Sequence, residues 1–267
     1  MNNSPVGIFD SGIGGLTVVK EIIKILPNES IIYLGDTARV PYGTRDYTTI
    51  KKFADELVTF MLNKRVKAIV VACNTMSAVA LSGIIKSSGK IPVIDVIKPT
   101  VEFSLNQKGV NTLGVIGTRA TVNSGVYQTQ IKKKNKAKSV FVKVCPLFVP
   151  LVEEGLIDNK ATQIIAKNYL SYFNDKNLDL LILGCTHYPL LKKVIEKSFR
   201  RKIILIDSAS PTAIEIKNIL EKNNLIRNLK SKPTIKLYVT DAPDRLSETA
   251  DLIFNGKLPV KLEKVRI

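Results

Sequence analysis

Two of the three cysteines in this 267-residue chain stand in matching sequence surroundings. Cys73 ends the segment VKAIVVAC and precedes the pair Asn-Thr, whereas Cys185 ends LDLLILGC and precedes Thr-His. Each cysteine therefore follows an apolar run and a small residue, and it precedes polar residues that are suited to start a helix. The free N–H groups and the dipole of a helix start favour the thiolate form of cysteine. The repeat indicates two thiols that face each other across one site.

Three chemistries suit a pair of thiols. Disulfide exchange usually uses a C-x-x-C motif, which this sequence lacks. A zinc site could take Cys185 and the only histidine, His187, but it would need Cys73, Cys145 and oxygen ligands to complete it, so no metal is predicted. In acid–base catalysis, one thiolate removes a proton from carbon while the opposite thiol delivers another and inverts the centre. This third chemistry explains why there are two copies.

The remaining cysteine, Cys145, lies in SVFVKVCPLF without a polar pair after it, so a buried structural thiol is predicted there. An odd number of cysteines in apolar runs argues for reduced thiols and a cytoplasmic location. The N-terminal segment MNNSPVGIFDSGIGG lacks the features of a signal peptide. No apolar run approaches the roughly 18 residues of a membrane helix, so no membrane association is expected.

Other polar residues could assist the thiols. Asp10 and His187 are suited to orient or tune them, and Glu153 in FVPLVEEG could serve as a further acid–base group. Further hydroxyl, amide and backbone groups could bind the carboxylates and ammonium of an amino acid. The backbone groups are those of Ser11 and Gly43, and the side-chain hydroxyl and amide groups are those of Asn74, Thr75, Thr118, Thr121 and Thr186.

The glycine-rich stretch DSGIGGLTVVKEI resembles a phosphate-binding loop only in part. Thr17 stands where G-x-G-x-x-G requires its third glycine, and no Lys-Ser or Lys-Thr pair completes a P-loop. We therefore expect the backbone amides of this loop to point at a carboxylate rather than at a phosphate.

The elements that must position these residues alternate between short apolar runs and amphipathic helical segments. The runs are VGIFD, SIIYLGD, VKAIVVAC, IPVID, TLGVIGT, SVFVKVC, LDLLILGC and KIILID. Runs of this kind are typical of parallel strands buried on both faces, and their alternation with helices predicts an α/β fold. The runs end in Asp10, Asp36, Cys73, Thr118, Cys185 and Asp207. Ligands of open α/β sheets bind at these carboxyl ends, so one rim should carry the chemistry.

The net charge of +17, from 40 Lys and Arg against 23 Asp and Glu, raises nucleic acid as a partner. The lysines are mostly scattered, and the dense run KKKNKAK at 132–138 has no interleaved aromatic residue on which bases could stack. An ordinary solvated surface is the favoured interpretation, with nucleic acid not expected as a partner.

Taken together, several motifs show that the chain resembles the bacterial glutamate racemases, a family of cofactor-independent amino-acid racemases that supply D-glutamate for peptidoglycan. The matching stretches are GIFDSGIGGLTVVKEI, YLGDTARVPYGTR, VVACNTMSA, GVIGTRATVNSGVYQ, FVPLVEEG, LGCTHYPLL and IDSA. They follow the family's order from Gly7 to about Ala209. Ile13 and Met76 depart from the residues common in the family without affecting the chemistry.

This resemblance implies that Cys73 and Cys185 are the two catalytic acid–bases, assisted by Asp10 and His187, with Glu153 as a further helper. It implies that the substrate, glutamate, is held by Asp10-Ser11, Tyr42-Gly43, Asn74-Thr75 and Thr186-His187. No cofactor such as pyridoxal phosphate is implied, and a homodimer is one expected assembly. The implied fold is two pseudo-symmetric α/β domains, residues 1–98 with 211–267 and residues 99–210, with the site in the cleft between them.

Alternative functions remain open at this point. A racemase of the same broad family could act on aspartate or another acidic amino acid. A basic nucleic-acid-binding protein would show binding that weakens steeply with salt. A thiol redox protein would form a disulfide between Cys73 and Cys185.

Overall fold

The computed structural model describes residues 3–229 and 231–267, and their strands form two sheets. The strands are β1 Val6–Asp10, β2 Ile31–Gly35, β3 Ala68–Val71, β4 Val93–Asp95, β5 Thr112–Gly117, β6 Ser139–Val144, β7 Leu180–Gly184, β8 Ile204–Asp207, β9 Ile235–Val239 and β10 Leu262–Lys264. The first sheet has the order β10-β9-β2-β1-β3-β4, and the second has the order β6-β5-β7-β8. The strand pairs in both sheets are parallel. The predicted α/β class is confirmed.

Helices connect the strands. They are α1 Leu16–Ile25, α2 Tyr47–Asn63, α3 Asn74–Val79, α4 Leu81–Ser87, α5 Ile97–Leu105, α6 Arg119–Asn123, α7 Val126–Lys134, α8 Phe148–Glu153, α9 Lys160–Leu170, α10 Lys192–Lys197, α11 Ala209–Lys222 and α12 Pro243–Ile253. Short 3₁₀ segments lie at Tyr42–Thr44, Ser171–Phe173 and Tyr188–Leu191. The helices supply the crossovers that parallel strands require.

The two sheets repeat one strand order. The first sheet contains the block β2-β1-β3-β4, and the second sheet is the block β6-β5-β7-β8. The two blocks have the same order, with each strand number higher by four in the second. By this correspondence β3 matches β7, so the two cysteines follow equivalent strands. In each block the chain first passes from one central strand to the outer strand beside it, and then returns to continue on the opposite side. The two central strands are β1 and β3 in the first block and β5 and β7 in the second. Ligands of open α/β sheets bind at this switch point.

All eight predicted apolar runs form strands, and β9 and β10 are additional. Both extend the first sheet beyond β2. The β9 run, IKLYV, is interrupted by Lys236 and follows a lysine-rich loop, and β10 has only three residues. Their pattern is therefore weaker than that of the buried central strands.

The largest apolar cluster lies between the sheets. It joins residues of β1, β3, β5 and β7 to α1, α5 and α11, and it includes Val70, Ile182, Ile22, Val101 and Ile216. Two further clusters cover the outer faces of the first and second sheets. A shared central core holds the carboxyl ends of both sets of strands against each other.

The predicted domain boundaries correspond to the sheets in outline: strands before residue 98 and after residue 211 build the first sheet, and those between build the second. The exact division stays a prediction. No helix within the described ranges is long and apolar enough to cross a membrane.

Candidate active site

Cys73 and Cys185 line the same cavity. The other residues that line it are Ser11, Pro41, Tyr42, Gly43, Asn74, Thr75, Thr118, Val149, Thr186 and His187. Its volume is about 10 Å³, which is room for about one water molecule. An amino acid can therefore enter only if the walls of the cavity move apart, as in enzymes that close over their substrates.

The helix starts beside the two cysteines differ. Helix α3 begins directly after Cys73 as the sequence predicts, but Cys73 itself occupies the N-cap, in place of Asn74 or Thr75. After Cys185 the helix starts later than predicted: a 3₁₀ segment begins at Tyr188, with His187 at its N-cap in place of Thr186. Pro189 is the second residue of this segment, where an N–H has no partner within the helix, so the proline is well suited to a start at Tyr188. The delay leaves Thr186 and His187 free to line the cavity.

Cys73 lies in a dry, negatively charged setting. Its sulfur is 3.6 Å from the hydroxyl of Ser11, and the residue is buried. Burial and the nearby carboxylate of Asp10 raise the pKa of the Cys73 thiol to about 12. At neutral pH this cysteine is a protonated thiol, and once it loses its proton it is a strong base.

Cys185 belongs to a chain of three contacts. Its sulfur is 3.8 Å from Nδ1 of His187, and Nε2 of His187 is 2.5 Å from Oε1 of Glu153. Burial alone would lower the pKa of His187, but the hydrogen bonds with Cys185 and Glu153 outweigh burial and raise its pKa well above the usual range. Both ring nitrogens then carry protons, and the cationic imidazole stabilises negative charge on the Cys185 sulfur.

Asp10 is held by the glycine-rich loop. The backbone N–H groups of Gly12 and Gly15 donate to its Oδ2 at 3.2 and 2.9 Å. These two loop amides point at a carboxylate, as the sequence predicts, but it is the carboxylate of Asp10, whose side chain turns back onto them. Burial raises the pKa of Asp10, although His187 and the loop amides oppose this shift. The hydroxyl of Thr186 donates to Asp10 at 3.4 Å and so connects the two sheets.

Three threonine hydroxyls form a second link between the sheets. Thr118 lies 3.0 Å from both Thr75 and Thr121, measured between the hydroxyl oxygens, and all three residues are buried. Thr75 and Thr118 line the cavity, whereas Thr121 lies behind them. Rotating hydroxyls of this kind can turn to donate to a carboxylate.

The sequence-predicted residues take two positions. Most line the cavity, but Asp10, Thr121 and Glu153 lie behind its walls. Asp10 supports Thr186, Thr121 supports Thr75 and Thr118, and Glu153 supports His187. Tyr42 lines the cavity, yet its hydroxyl donates to the buried Asp36, so its backbone is what remains for a ligand. The apolar residues Pro41 and Val149 also line the cavity.

Comparisons with known proteins agree with this geometry. Residues 7–214 match the model of the Asp/Glu/Hydantoin racemase family. The chain belongs to this family.

Individual relatives cover nearly the whole chain. A protein named glutamate racemase from Chlorobaculum parvum is 46% identical over 256 residues, which is 96% of this chain and 94% of the relative. The crystal structure of glutamate racemase from Francisella tularensis in complex with D-glutamate has a TM-score of 0.93 at 45% identity, covering 100% of this chain and 98% of that one. Glutamate racemase from Thermus thermophilus in complex with beta-chloro-D-alanine has a TM-score of 0.86 at 39% identity, covering 100% and 99%.

In this racemase, Gly14 leaves the space that the catalytic candidates need. A Cβ added there would lie 2.6 Å from both Nδ1 of His187 and the hydroxyl of Thr186. We expect Gly14→Ala to displace His187 and to lower kcat/KM about hundredfold, because misplacement by about 1 Å has this effect. Steady-state racemisation measures it. The matched control is Gly83→Ala in α4, where a Cβ would meet nothing within 4 Å and should leave the activity unchanged. Equal activities of the two variants would contradict the argument.

The raised pKa of His187 predicts how stability depends on pH. The unfolded chain loses this proton near its ordinary pKa of about 6.5, while the folded protein retains it to higher pH. The contribution of His187 to stability is therefore complete below about pH 6.5 and is lost as the pH rises through the folded pKa. Urea unfolding of the wild type and His187→Asn should give a difference in the free energy of unfolding that shrinks from about pH 6 to about pH 9. A difference that grows over this range would refute the assignment.

The lysine run at 132–138 engages its own surroundings. The ammonium of Lys132 donates to the backbone carbonyls of Lys136 and Lys138, and Lys134 pairs with Glu102 at 2.8 Å. Lys138 reaches Val110 and Asn111. These contacts favour the solvated-surface interpretation, and the expectation of no nucleic-acid partner stays a prediction.

Proposed function

We propose that this chain is a glutamate racemase, an isomerase that interconverts L- and D-glutamate without a cofactor and supplies D-glutamate for peptidoglycan. The observation that carries the proposal is the pair of thiols from equivalent strands, Cys73 and Cys185, in one closed cavity. The names of the relatives and the D-glutamate complex of the Francisella tularensis protein support glutamate as the substrate.

The geometry favours a two-base proton transfer. We assign the thiolate of the starting state to Cys185, because the His187 ring lies 3.8 Å from its sulfur, and the neutral thiol to Cys73. Cys185 takes the α-proton from one face of glutamate, and Cys73 gives its own proton to the opposite face. The product is the other enantiomer, with Cys185 now a thiol and Cys73 a thiolate. This second state is the starting state for the reverse reaction, so each thiol serves one enantiomer.

The cavity supplies what a weak carbon acid requires. Removal of the α-proton leaves a carbanion-like centre, which preorganised donors in a dry site stabilise. The amide of Asn74, the hydroxyls of Thr75, Thr118 and Thr186, and the backbone of Ser11, Tyr42 and Gly43 are the donors proposed to hold the substrate. Asp10 tunes Cys73 through its charge, and Glu153 holds the His187 ring.

A proton NMR time course of L-glutamate in D₂O, with reduced protein and no added cofactor, tests the proposal. We expect the α-proton signal to disappear while D-glutamate forms. Exchange of the α-proton without inversion would show that only one base works. If glutamate is unchanged while aspartate or another acidic amino acid racemises under the same conditions, the assigned substrate is wrong.

The cellular setting follows from the same chemistry. Two free catalytic thiols require a reducing compartment, so we propose a cytoplasmic location. A homodimer is the proposed assembly, and sedimentation velocity at several protein concentrations would show whether the mass is that of one chain or two.

A further inference from the structure

A hydrogen-bonded triad, Tyr127, Asn74 and Ser208, lies directly behind the cavity next to Cys73. The hydroxyl of Tyr127 donates to Oδ1 of Asn74 at 2.6 Å, and Nδ2 of Asn74 donates to the hydroxyl of Ser208 at 3.2 Å. All three residues are buried, but only Asn74 lines the cavity. The triad therefore acts on the cavity through a single amide.

The triad joins both halves of the fold. Asn74 is the first residue of α3 and comes after β3 of the first sheet, whereas Tyr127 lies on α7 and Ser208 follows β8 of the second sheet. Tyr127 also packs against β7, because one of its ring carbons is 3.2 Å from where a Cβ of Gly184 would lie. The aromatic ring of Tyr127 is thus in contact with the strand end that precedes Cys185.

The hydrogen bonds of the triad run in one direction. Burial keeps the phenol of Tyr127 protonated, since it raises the pKa of Tyr127 far above its usual range. Tyr127 gives its one hydrogen to Asn74, and Asn74 gives one to Ser208. Hydrogen bonds arranged head to tail in a dry site polarise one another and resist reorientation.

An asparagine amide has two N–H groups, and the bond to Ser208 uses one of them. Within residues 3–229 and 231–267, the second N–H of Asn74 has no other acceptor, and it belongs to a side chain that lines the cavity. We propose that Tyr127 is a positioning residue that fixes the Asn74 carboxamide with its NH₂ group toward a substrate carboxylate. The proposal rests on the proposed function, because it assumes that the ligand in the cavity is an amino acid.

The hydroxyl is needed because the two ends of an amide have nearly the same size. Packing alone barely distinguishes the carboxamide from its flipped form, so hydrogen-bond partners decide its orientation. Without the hydroxyl of Tyr127, the carbonyl oxygen loses its buried donor and the flipped form becomes competitive. The flipped form turns a carbonyl oxygen toward the carboxylate, and these two groups repel each other.

The test is Tyr127→Phe, which removes the hydroxyl and keeps the ring. We expect KM for both glutamate enantiomers to rise about tenfold, as loss of a hydrogen bond to a charged group predicts, while kcat stays within about threefold. The dissociation constant of D-glutamate, measured by calorimetry, should rise by the same factor as KM. Tyr188→Phe is the matched control: its buried hydroxyl donates to the backbone carbonyl of Cys145 at 2.8 Å, so it should lower the melting temperature without raising KM.

A double-mutant cycle with Asn74→Ala shows whether Tyr127 acts through this amide. In the Asn74→Ala background, Tyr127→Phe should change kcat/KM by less than about twofold, because the group that it positions is gone. A full tenfold effect in that background would mean that Tyr127 acts by another route. Ser208→Ala removes the acceptor of Nδ2 of Asn74 and should raise KM about threefold, which keeps the proposal testable if Tyr127→Phe does not fold.

The possible outcomes separate this proposal from the proposed function. If the wild type binds D-glutamate without racemising it, the racemase function is wrong, and the dissociation constants still decide the role of Tyr127. If the wild type racemises glutamate and Tyr127→Phe has unchanged KM and affinity, the positioning role alone is overturned. A wild type that neither binds nor racemises glutamate overturns both.

Discussion

Cys73→Ala and Cys185→Ala are each expected to lower racemisation by at least about a thousandfold in both directions. One base or one acid is lost in each variant, and no other described side chain that lines the cavity is a thiol. General acid–base groups contribute about 10²- to 10⁴-fold, and the α-proton of an amino acid is a demanding substrate. L- and D-glutamate have equal free energies in water, so a variant must lose kcat/KM equally in the two directions.

Deuterium exchange distinguishes the two variants from each other. The thiol that remains can still remove a proton from one face and return a deuteron to that face. Cys73→Ala should therefore exchange the α-hydrogen of one enantiomer, and Cys185→Ala that of the other, without inversion. Cys145→Ala is the control: this thiol is buried outside the cavity, with its sulfur 3.9 Å from the carbonyl of Lys143, and its loss should not affect turnover. Near-normal turnover in either catalytic variant would overturn the two-base mechanism.

His187→Asn is expected to lower kcat about a hundredfold. Asparagine can place an amide near the Cys185 sulfur, where Nδ1 of His187 lies at 3.8 Å, but it cannot carry a positive charge. A thiolate formed at Cys185 then has no counter-ion, and the half-buried carboxylate of Glu153 loses its partner. Steady-state kinetics should show the loss mainly in kcat, since the imidazole supports the thiol rather than the substrate.

The contact between His187 and Glu153 provides the control for this variant. Glu153→Gln keeps the size of the side chain and removes its charge, so it should lower kcat by about tenfold or less. If Glu153 acts only through His187, the double variant should be no worse than His187→Asn alone. An additive loss would show that Glu153 reaches the substrate by itself, and a wild-type rate in His187→Asn would remove the histidine from the mechanism.

Much of this protein follows from local sequence. The eight apolar runs predict the central strands because strands buried on both faces must be apolar throughout. The repeated strand–cysteine segments predict the catalytic candidates, since the carboxyl ends of parallel strands meet at one rim. β9 and β10 lack this signal, because β9 is interrupted by the exposed Lys236 and β10, at the edge of the sheet, has three residues of which two are exposed.

Local sequence by itself determined the α/β class, the pair of reactive cysteines and most of the polar residues around them. Only the tertiary structure decided which of these residues face the cavity and which stand behind it. Asp10 turns back onto its own loop, and Tyr42 gives its hydroxyl to Asp36, although both lie in motifs that predict substrate contact. Tyr127 lies in the matching stretch GVIGTRATVNSGVYQ, but its residue type and spacing do not mark it as part of the site, because its role depends on β7, β8 and α3 meeting in space. Hydrogen-bond partners that are distant in sequence are set by packing, and packing becomes known only when the chain is folded.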